Sequence, residues 1–566
     1  MHERVRSAGQ IRTEWIGAAR GIAVPARKEA PPRLPDLVLL AVRRKVEAFI
    51  RPFREMVILK ARRRVIRRGI IAIALSLMVQ GMLWGQGASE DPLASEEMTA
   101  ETPPDLPSCP PCVPWDSRTA GHLMRRAGFS ASPEELERLA DIGFEATLDE
   151  LLNHEAVDDT EMEEGLEERN YPFTRLNANG RIRPNTSGMQ HWWLYRMVNS
   201  RRQLLEKMTY FWHDHFATSV STVRQVGVGG KPYMMAQNEL LREYALGNFK
   251  EMVTRIARDP AMLVWLDNRS NVKDHPNENW SRELLELFTM GEGNYTDQDV
   301  VEAARAFTGW GLNRRGAFHF FPGRHDFGAK TFLNRSGAFD GDDIIDIIFE
   351  QDATAEFISR KLFAFFVHPD PTEELIAELA DVFRQNDYEL RPLMRAIFEH
   401  PEFYSDRAYR SLIKSPADLF VGLFRELGKS DTVFLPRFMA TTGQELFAPP
   451  DVSGWTSGVG WINTSTLLAR YNAFNILTSH LGRGALYFVG WAQTYQLSPS
   501  DVVGHLLDAI VKDDVSMHTR HVLRQYMTTD DSGGTAEWDF NDAVMIDKKA
   551  RGVLYLILAH PAYQLR

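Results

Sequence analysis

Residues 211–216 read Phe-Trp-His-Asp-His-Phe, two imidazoles and a carboxylate set among large aromatics. Titratable groups in apolar surroundings cost free energy, so each needs a structural or a chemical reason. A second cluster follows downstream, His275-Pro276-Asn277-Glu278-Asn279 running into Glu283 and Glu286. A third is His325-Asp326-Phe327-Gly328-Ala329-Lys330-Thr331. Imidazoles and carboxylates of this kind, if gathered at one place, would hold a divalent cation that activates water, or would exchange protons directly. On this reading His213, Asp214, His215 and Glu283 are candidate catalytic groups. His275, Glu278, Glu286, His325 and Asp326 are candidate metal ligands.

The elements that must position these groups read mostly as helices. The spacing of Leu204, Met208, Phe211, Trp212 and His215 puts them on one face of a helix over about 204–216, with Thr209, His213 and Phe216 on another. Both faces are largely apolar, which predicts a helix buried all round. His213 and His215 lie about 200° apart on an ideal helix, so they chelate one ion only if the helix ends or unwinds between them. Each therefore has a plain alternative, a core histidine that ties helices together.

Pro276 lets a second helix begin near Asn277, with Trp280, Leu284, Leu287 and Phe288 as its apolar stripe. Asn279, Glu283 and Glu286 align on the opposite side, and Glu278 with Arg282 makes an i,i+4 ion pair. The alternative here is a solvated acidic face. Asp340-Gly341-Asp342-Asp343 fails calcium-loop spacing and reads as a helix cap. The loop Pro449–Asn463 holds Trp455 and Trp461 beside glycines, so with Trp212 and Asn279 these residues are candidates for a pocket wall. Tryptophans under a loop equally serve to plug a core.

Ser132-Pro133-Glu134-Glu135, Thr296-Asp297-Gln298-Asp299 and Ser415-Pro416-Ala417-Asp418 are helix-start signatures. Further helical periodicity spans roughly 190–217, 233–258, 354–367, 371–385, 390–400, 464–480 and 502–512. Strand signals are few; Ala317–Phe321 before Pro322-Gly323 reads as one short hairpin. The expected fold is mainly α: a large multi-helix domain with one β-hairpin and a Gly/Pro/Trp-rich loop insertion. No Walker A, G-x-G-x-x-G, H-E-x-x-H or G-x-S-x-G motif is present.

The chain has 566 residues and a net charge of −11, distributed unevenly. Residues 1–68 carry 18 Lys+Arg against 6 Asp+Glu, and the remainder 47 against 70. So acidic a body argues against a nucleic-acid partner. The basic start has another explanation. Arg62-Arg63-Arg64 and Arg67-Arg68 precede an apolar run from Gly69 to Trp84 that exits through Gly85-Gln86-Gly87-Ala88-Ser89, the pattern of a secretory signal. The run is short for a spanning helix and contains Gln80; an uncleaved anchor is the alternative.

The organisation expected is a leader over 1–55, over-extended or disordered, a signal or anchor over 56–88, a Pro-rich acidic linker over 89–115, and one helical domain over 116–566. Translation starting at Met56 would account for the leader. The two cysteines, Cys109 and Cys112, lie in the linker, which favours a local disulfide or free thiols over catalysis. Val113 after Cys112 rules out a c-type haem attachment.

Taken together, these stretches are familiar. Ala120-Gly121-His122-Leu123-Met124-Arg125-Arg126-Ala127-Gly128-Phe129, Met208–Phe216, Asp259-Pro260-Ala261-Met262, Asn277-Glu278-Asn279 through Thr289, Thr308-Gly309-Trp310-Gly311 and the Pro449–Thr464 loop resemble a large bacterial family of unknown function, domain-of-unknown-function family eighteen hundred. Trp280 and Ser281 stand where that family more often has Tyr and Ala. The resemblance implies export and a frequent genomic pairing with a sulfatase-like partner, and it transfers no catalytic residue. Two functions stay open. One is an exported, periplasmic or extracellular, metal-dependent enzyme of hydrolase type. The other is a non-catalytic binding or assembly protein working with that partner. In both, the membrane is reached only through the N-terminal signal or anchor.

Overall fold

The computed structural model describes residues 113–480, 492–512, 514–530 and 532–566. The leader, the signal or anchor, Cys109 and Cys112 lie outside these residues. The described chain is mainly α-helical, with three two-stranded antiparallel hairpins. No helix among the described residues is long and apolar enough to cross a membrane.

The helix-start signatures act as capping chemistry dictates. Ser132, Thr296, Asp340 and Ser415 each accept hydrogen bonds from backbone N–H groups of the first turn, and Thr296, Asp340 and Ser415 form reciprocal capping boxes. Two long periodic stretches break. The one over 190–217 is two helices, Thr186–Asn199 and Gln203–His215, hinged at Ser200–Arg202. The stretch over 233–258 is likewise Tyr233–Glu243 and Phe249–Ile256, parted at Gly247. In the first break Ser200 and Arg201 hand their Oγ and N–H to Asp159, so the irregular backbone is held from outside.

The strands are only three residues each. β1 (Thr174–Leu176) pairs with β2 (Ile182–Pro184), β3 (Trp310–Leu312) with β4 (Phe318–Phe320), and β5 (Lys330–Phe332) with β6 (Arg335–Gly337). The expected hairpin at Ala317–Phe321 exists, but its partner precedes it: Asn313–Ala317 is the turn, and Pro322-Gly323 opens a short 3₁₀ turn.

Two hydrophobic clusters fill the interior, one around Trp212, Phe249, Phe288 and Phe363, the other around Trp193, Phe420, Phe447 and Tyr563; Trp265 and Phe365 pack against both. The helix Gln203–His215 runs through this interior, with Asp214 its only residue that is not buried. Most of its polar side chains are satisfied individually. Glu206 accepts from Trp193 Nε1 at 3.0 Å, Arg196 Nε at 3.0 Å and Arg242 Nε at 2.9 Å. Those guanidinium groups overcome the cost of burial and hold its carboxyl at about 2. Lys207 pairs with Asp418 on the helix Pro416–Glu426.

Candidate functional site

The last turn of the Gln203–His215 helix sends three consecutive side chains to three different parts of the chain. His213 points at the start of the Trp-rich loop. The N–H of Phe447 donates to His213 Nε2 at 3.1 Å, while Trp193, Phe447 and Trp455 pack around the ring at centroid distances of 4.9, 5.2 and 5.6 Å. Burial pushes this imidazole down to about 3, so it is neutral at every physiological pH. Phe447 sits in the left-handed region at φ +65°, a conformation that costs a bulky residue about 1–3 kcal/mol unless its surroundings enforce it. His213 supplies that enforcement, together with Val220, whose N–H donates to the Phe447 carbonyl at 2.8 Å.

His215 points the other way. Its Nε2 donates to the carbonyl of Phe288 at 3.1 Å, and burial holds the ring neutral. Its Nδ1 is buried without a hydrogen-bond partner. Phe288 belongs to the segment that carries the acidic cluster. Asn279–Glu283 is a short α-helix that widens into a π-helical turn over Leu284–Thr289, closed by Thr289 Oγ1 donating to Leu284 O at 2.5 Å. The sequence reading expected regular α spacing through Asn279, Glu283 and Glu286. The π turn changes the register between Glu283 and Glu286, and such turns are frequent at functional sites.

Asp214, between the histidines, is half-buried. The N–H of Trp455 donates to its Oδ1 at 2.8 Å. Gly454 makes this approach possible. Its φ is +86°, and a Cβ there would stand 2.2 Å from Asp214 Oδ1 and 2.8 Å from the Asp214 carbonyl oxygen. Burial raises the Asp214 carboxyl to about 6, opposed by the Trp455 N–H and by Lys361. Lys361, on the helix Asp352–Phe366, donates from Nζ to the Leu287 carbonyl at 3.3 Å. Burial lowers its ammonium to about 8 against the pull of Asp214.

Glu283 is also raised, first by burial and then by Glu286 and Asp451, with Arg282 opposing. Glu286 accepts from Tyr295 Oη at 3.5 Å, and Tyr295 is pushed up to about 12, mostly by burial and next by Glu286. Asp451 folds its own loop, accepting from Ser453 N at 3.0 Å and Ser453 Oγ at 2.6 Å.

The arrangement is therefore a carboxyl and an ammonium that act on each other, Asp214 and Lys361, with a second carboxyl, Glu283, at the end of the short helix before the π turn and acted on by Asp451 of the neighbouring loop; all three are half-buried. The Asp451–Trp455 loop caps the first of these carboxyls. Shielded from bulk water but still reachable, a carboxyl near 6 beside an ammonium near 8 can exchange protons around neutrality.

Other expected residues stand elsewhere. His275 is exposed in a tight turn bridged to Val272. Glu278 makes the expected surface ion pair with Arg282 at 3.0 Å, and Asn279 is exposed. His325 is buried with its Nδ1 donating to Thr308 O at 2.8 Å, and Asp326 accepts from Arg305 Nε at 2.8 Å. This third cluster is a structural corner under β3 and β4. Among the described residues no three His, Cys, Asp or Glu side chains assemble into a metal-ligand group, so the set His275, Glu278, Glu286, His325 and Asp326 does not converge on one ion.

Trp212 is fully buried, its Nε1 donating to Ala245 O at 3.0 Å, which makes it a core residue and not a pocket wall. Trp455 and Trp461 are buried under their loop. Lys361, Asp451 and Tyr295 were not among the expected site residues. Lys361 in particular gives no local signal, because a lysine after Arg360 on an amphipathic helix reads as solvated surface.

Comparison with known proteins adds the following. A model of the family described as protein of unknown function, DUF1800, matches residues 122–565. Neither curated proteins nor solved structures gave a match.

Proposed function

Because the chain belongs to the DUF1800 family, whose description assigns no reaction, we propose a function from the site itself: an exported enzyme of hydrolase type that works by proton transfer at Asp214, Lys361 and Glu283. The observation that supports it is the half-buried Asp214–Lys361 pair, remote in sequence, beside a loop that caps Asp214 through Trp455 and whose Asp451 acts on the half-buried carboxyl of Glu283. In this reading Asp214, ionised above about 6, removes a proton from the attacking water. Glu283, raised by burial and then by its acidic neighbours, gives a proton to the departing group. Lys361 keeps Asp214 ionised and offsets negative charge as it develops. Protons balance, one leaving the water and one reaching the leaving group. The expected metal ligands do not fit a common site, so no step is routed through an ion.

The test is hydrolysis of chromogenic ester, glycoside and phosphodiester substrates by the purified exported protein. Lys361→Met and Glu283→Gln should each cut turnover at least about a hundredfold while circular dichroism stays unchanged. Turnover that survives both substitutions, or none in the parent protein across these substrates, would overturn the reading.

A second reading has its own support. His213 and His215, the residues most suggestive of chemistry, are each committed to a backbone group. That is what a non-catalytic binding or assembly protein working with a sulfatase-like partner would need. Its measurement is co-purification of such a partner from the native source under mild conditions.

A further inference from the structure

The described surface also holds a cleft of about 530 Å³ in which cations gather with little counter-charge. Five arginines line it: Arg183 of β2, Arg224, Arg269, and Arg314 with Arg315 in the β3–β4 turn. Arg269 alone has a carboxylate within reach, Asp267 at 3.5 Å, and both are exposed. Arg224 spends its Nε on the Ser221 carbonyl at 2.6 Å. Arg183, Arg314 and Arg315 have no ion pair among the described residues. Five guanidinium groups at one cleft repel one another, and the rest of this body is strongly acidic, with 47 Lys+Arg against 70 Asp+Glu beyond residue 68.

The cleft is also rigid. Tyr233 lines it, and its Oη donates to Gly316 O at 2.9 Å. Gly316 has φ +77°, and a Cβ there would stand 2.0 Å from that oxygen. Asn313 Oδ1 accepts from the N–H of Arg315 at 2.8 Å, which fixes the turn that presents Arg314 and Arg315. In the same lining, the side-chain oxygen of Gln225 is buried without any hydrogen-bond donor. A buried acceptor left unpaired costs about 1–3 kcal/mol, and turning this half-buried side chain outward to a bound hydroxyl would recover it.

We propose that this cleft binds an anionic oligosaccharide, one that carries sulfate, phosphate or uronate groups. Its oxyanions meet the arginine forks, its hydroxyls meet Gln225, and a sugar face rests on Tyr233. Arginine suits such oxyanions because its planar fork offers two parallel donors. The cleft takes a chain segment in place of a flat surface, and the unpaired acceptor calls for a donor that fully ionised sulfate lacks. The proposal does not rest on the proton-transfer reading, since none of its residues belongs to that cluster.

The test is calorimetric titration of the full exported protein with a heparin-derived tetrasaccharide, with the matching desulfated sugar, with sodium sulfate, and with phosphatidylglycerol vesicles. Expected are saturable binding of the sulfated sugar, at least about tenfold weaker for Arg314→Gln/Arg315→Gln, and none for the neutral sugar. Arg201→Gln/Arg437→Gln, both exposed and outside the cleft, should leave the affinity unchanged. Gln225→Leu should weaken the sugar without creating affinity for sulfate. Four results would overturn the proposal: equal binding by the folded Arg314/Arg315 variant, sodium sulfate competing as well as the sugar, no binding of the sugar, or binding to vesicles alone. The last would assign the cleft, with exposed Ile182 and Leu176 beside it, to an anionic membrane.

Discussion

At the scale of the residue, the site is a problem in charge and room. Asp214 and Lys361 lose water but gain each other, and their opposed shifts, to about 6 and about 8, define a window. Activity that needs an ionised Asp214 should rise through an acidic limb near 6 and fall on the alkaline side as Glu283 or, near 8, Lys361 loses its proton, read as initial rates from pH 4 to 10. Lys361→Met should move the acidic limb upward in whatever activity remains, because the carboxyl loses the cation that holds it down.

The sign for stability is opposite to that of an ordinary salt bridge. Folding raises the Asp214 carboxyl, so the native state holds the extra proton, and this residue's contribution declines as pH rises from about 4 to about 6. Gly454→Ala is the sharpest steric probe. Its Cβ would meet Asp214 Oδ1, so the loop must withdraw, and turnover should fall by at least about tenfold with the core intact. Unchanged turnover would separate Asp214 from the chemistry. Lys361 itself could not be read from sequence, because its role depends on a helix 147 positions from Asp214 meeting it in space.

At the scale of the element, capping was legible and fine winding was not. Ser132, Thr296, Asp340 and Ser415 announce their helices because the first-turn N–H groups need an acceptor wherever a helix begins. The π turn at Leu284–Thr289 is invisible to periodicity: one displaced hydrogen bond hardly disturbs the apolar stripe of Leu284, Leu285 and Phe288. The hairpins were equally hard to read, since strands of three residues carry too little alternation.

Helix geometry separated His213 and His215 correctly. His215 meets the π turn Leu284–Thr289 through the Phe288 carbonyl, as a structural tie within the core. Thr289→Val tests the π turn. Losing the Oγ1 bond to Leu284 should cost about 1 kcal/mol of stability, measured by denaturant unfolding, and should lower turnover more than stability alone explains. If stability drops while turnover holds, the π turn serves packing only.

At the scale of the whole molecule, the interior is bound together by charge as well as by apolar surface. Glu206 joins Arg196, Arg242 and Trp193 inside the protein. Its carboxyl is lowered to about 2, so its stabilisation is complete above the ordinary carboxylate range and disappears as pH falls from about 4.5 to 2. Glu206→Gln leaves two buried guanidinium groups short of charge and should cost about 3–5 kcal/mol at neutral pH. Thermal unfolding at pH 7 would measure it, and a loss under about 1 kcal/mol would mean that the arginines find solvent.

The overall mainly α architecture was legible because long amphipathic periods survive any arrangement of helices. The grouping of Asp214, Lys361, Glu283 and Asp451 was not legible, because it depends on contacts among remote segments. For export, mass analysis of protein from the native envelope should give a mature N-terminus near residue 88; an intact basic leader would contradict a cleaved signal.

The three side chains at the end of the Gln203–His215 helix have a mechanical corollary. Successive α-helical residues turn by about 100°, so His213, Asp214 and His215 convert that angle into the directions of the Phe447 backbone, the Trp455 backbone and a π turn. The helix works as a protractor. A single alanine inserted upstream of Met208 would rotate all three bearings together, turning Asp214 toward the place His215 now holds. Such a change adds no charge and removes no side chain, yet it would disarm the cluster more thoroughly than replacement of any one of its members.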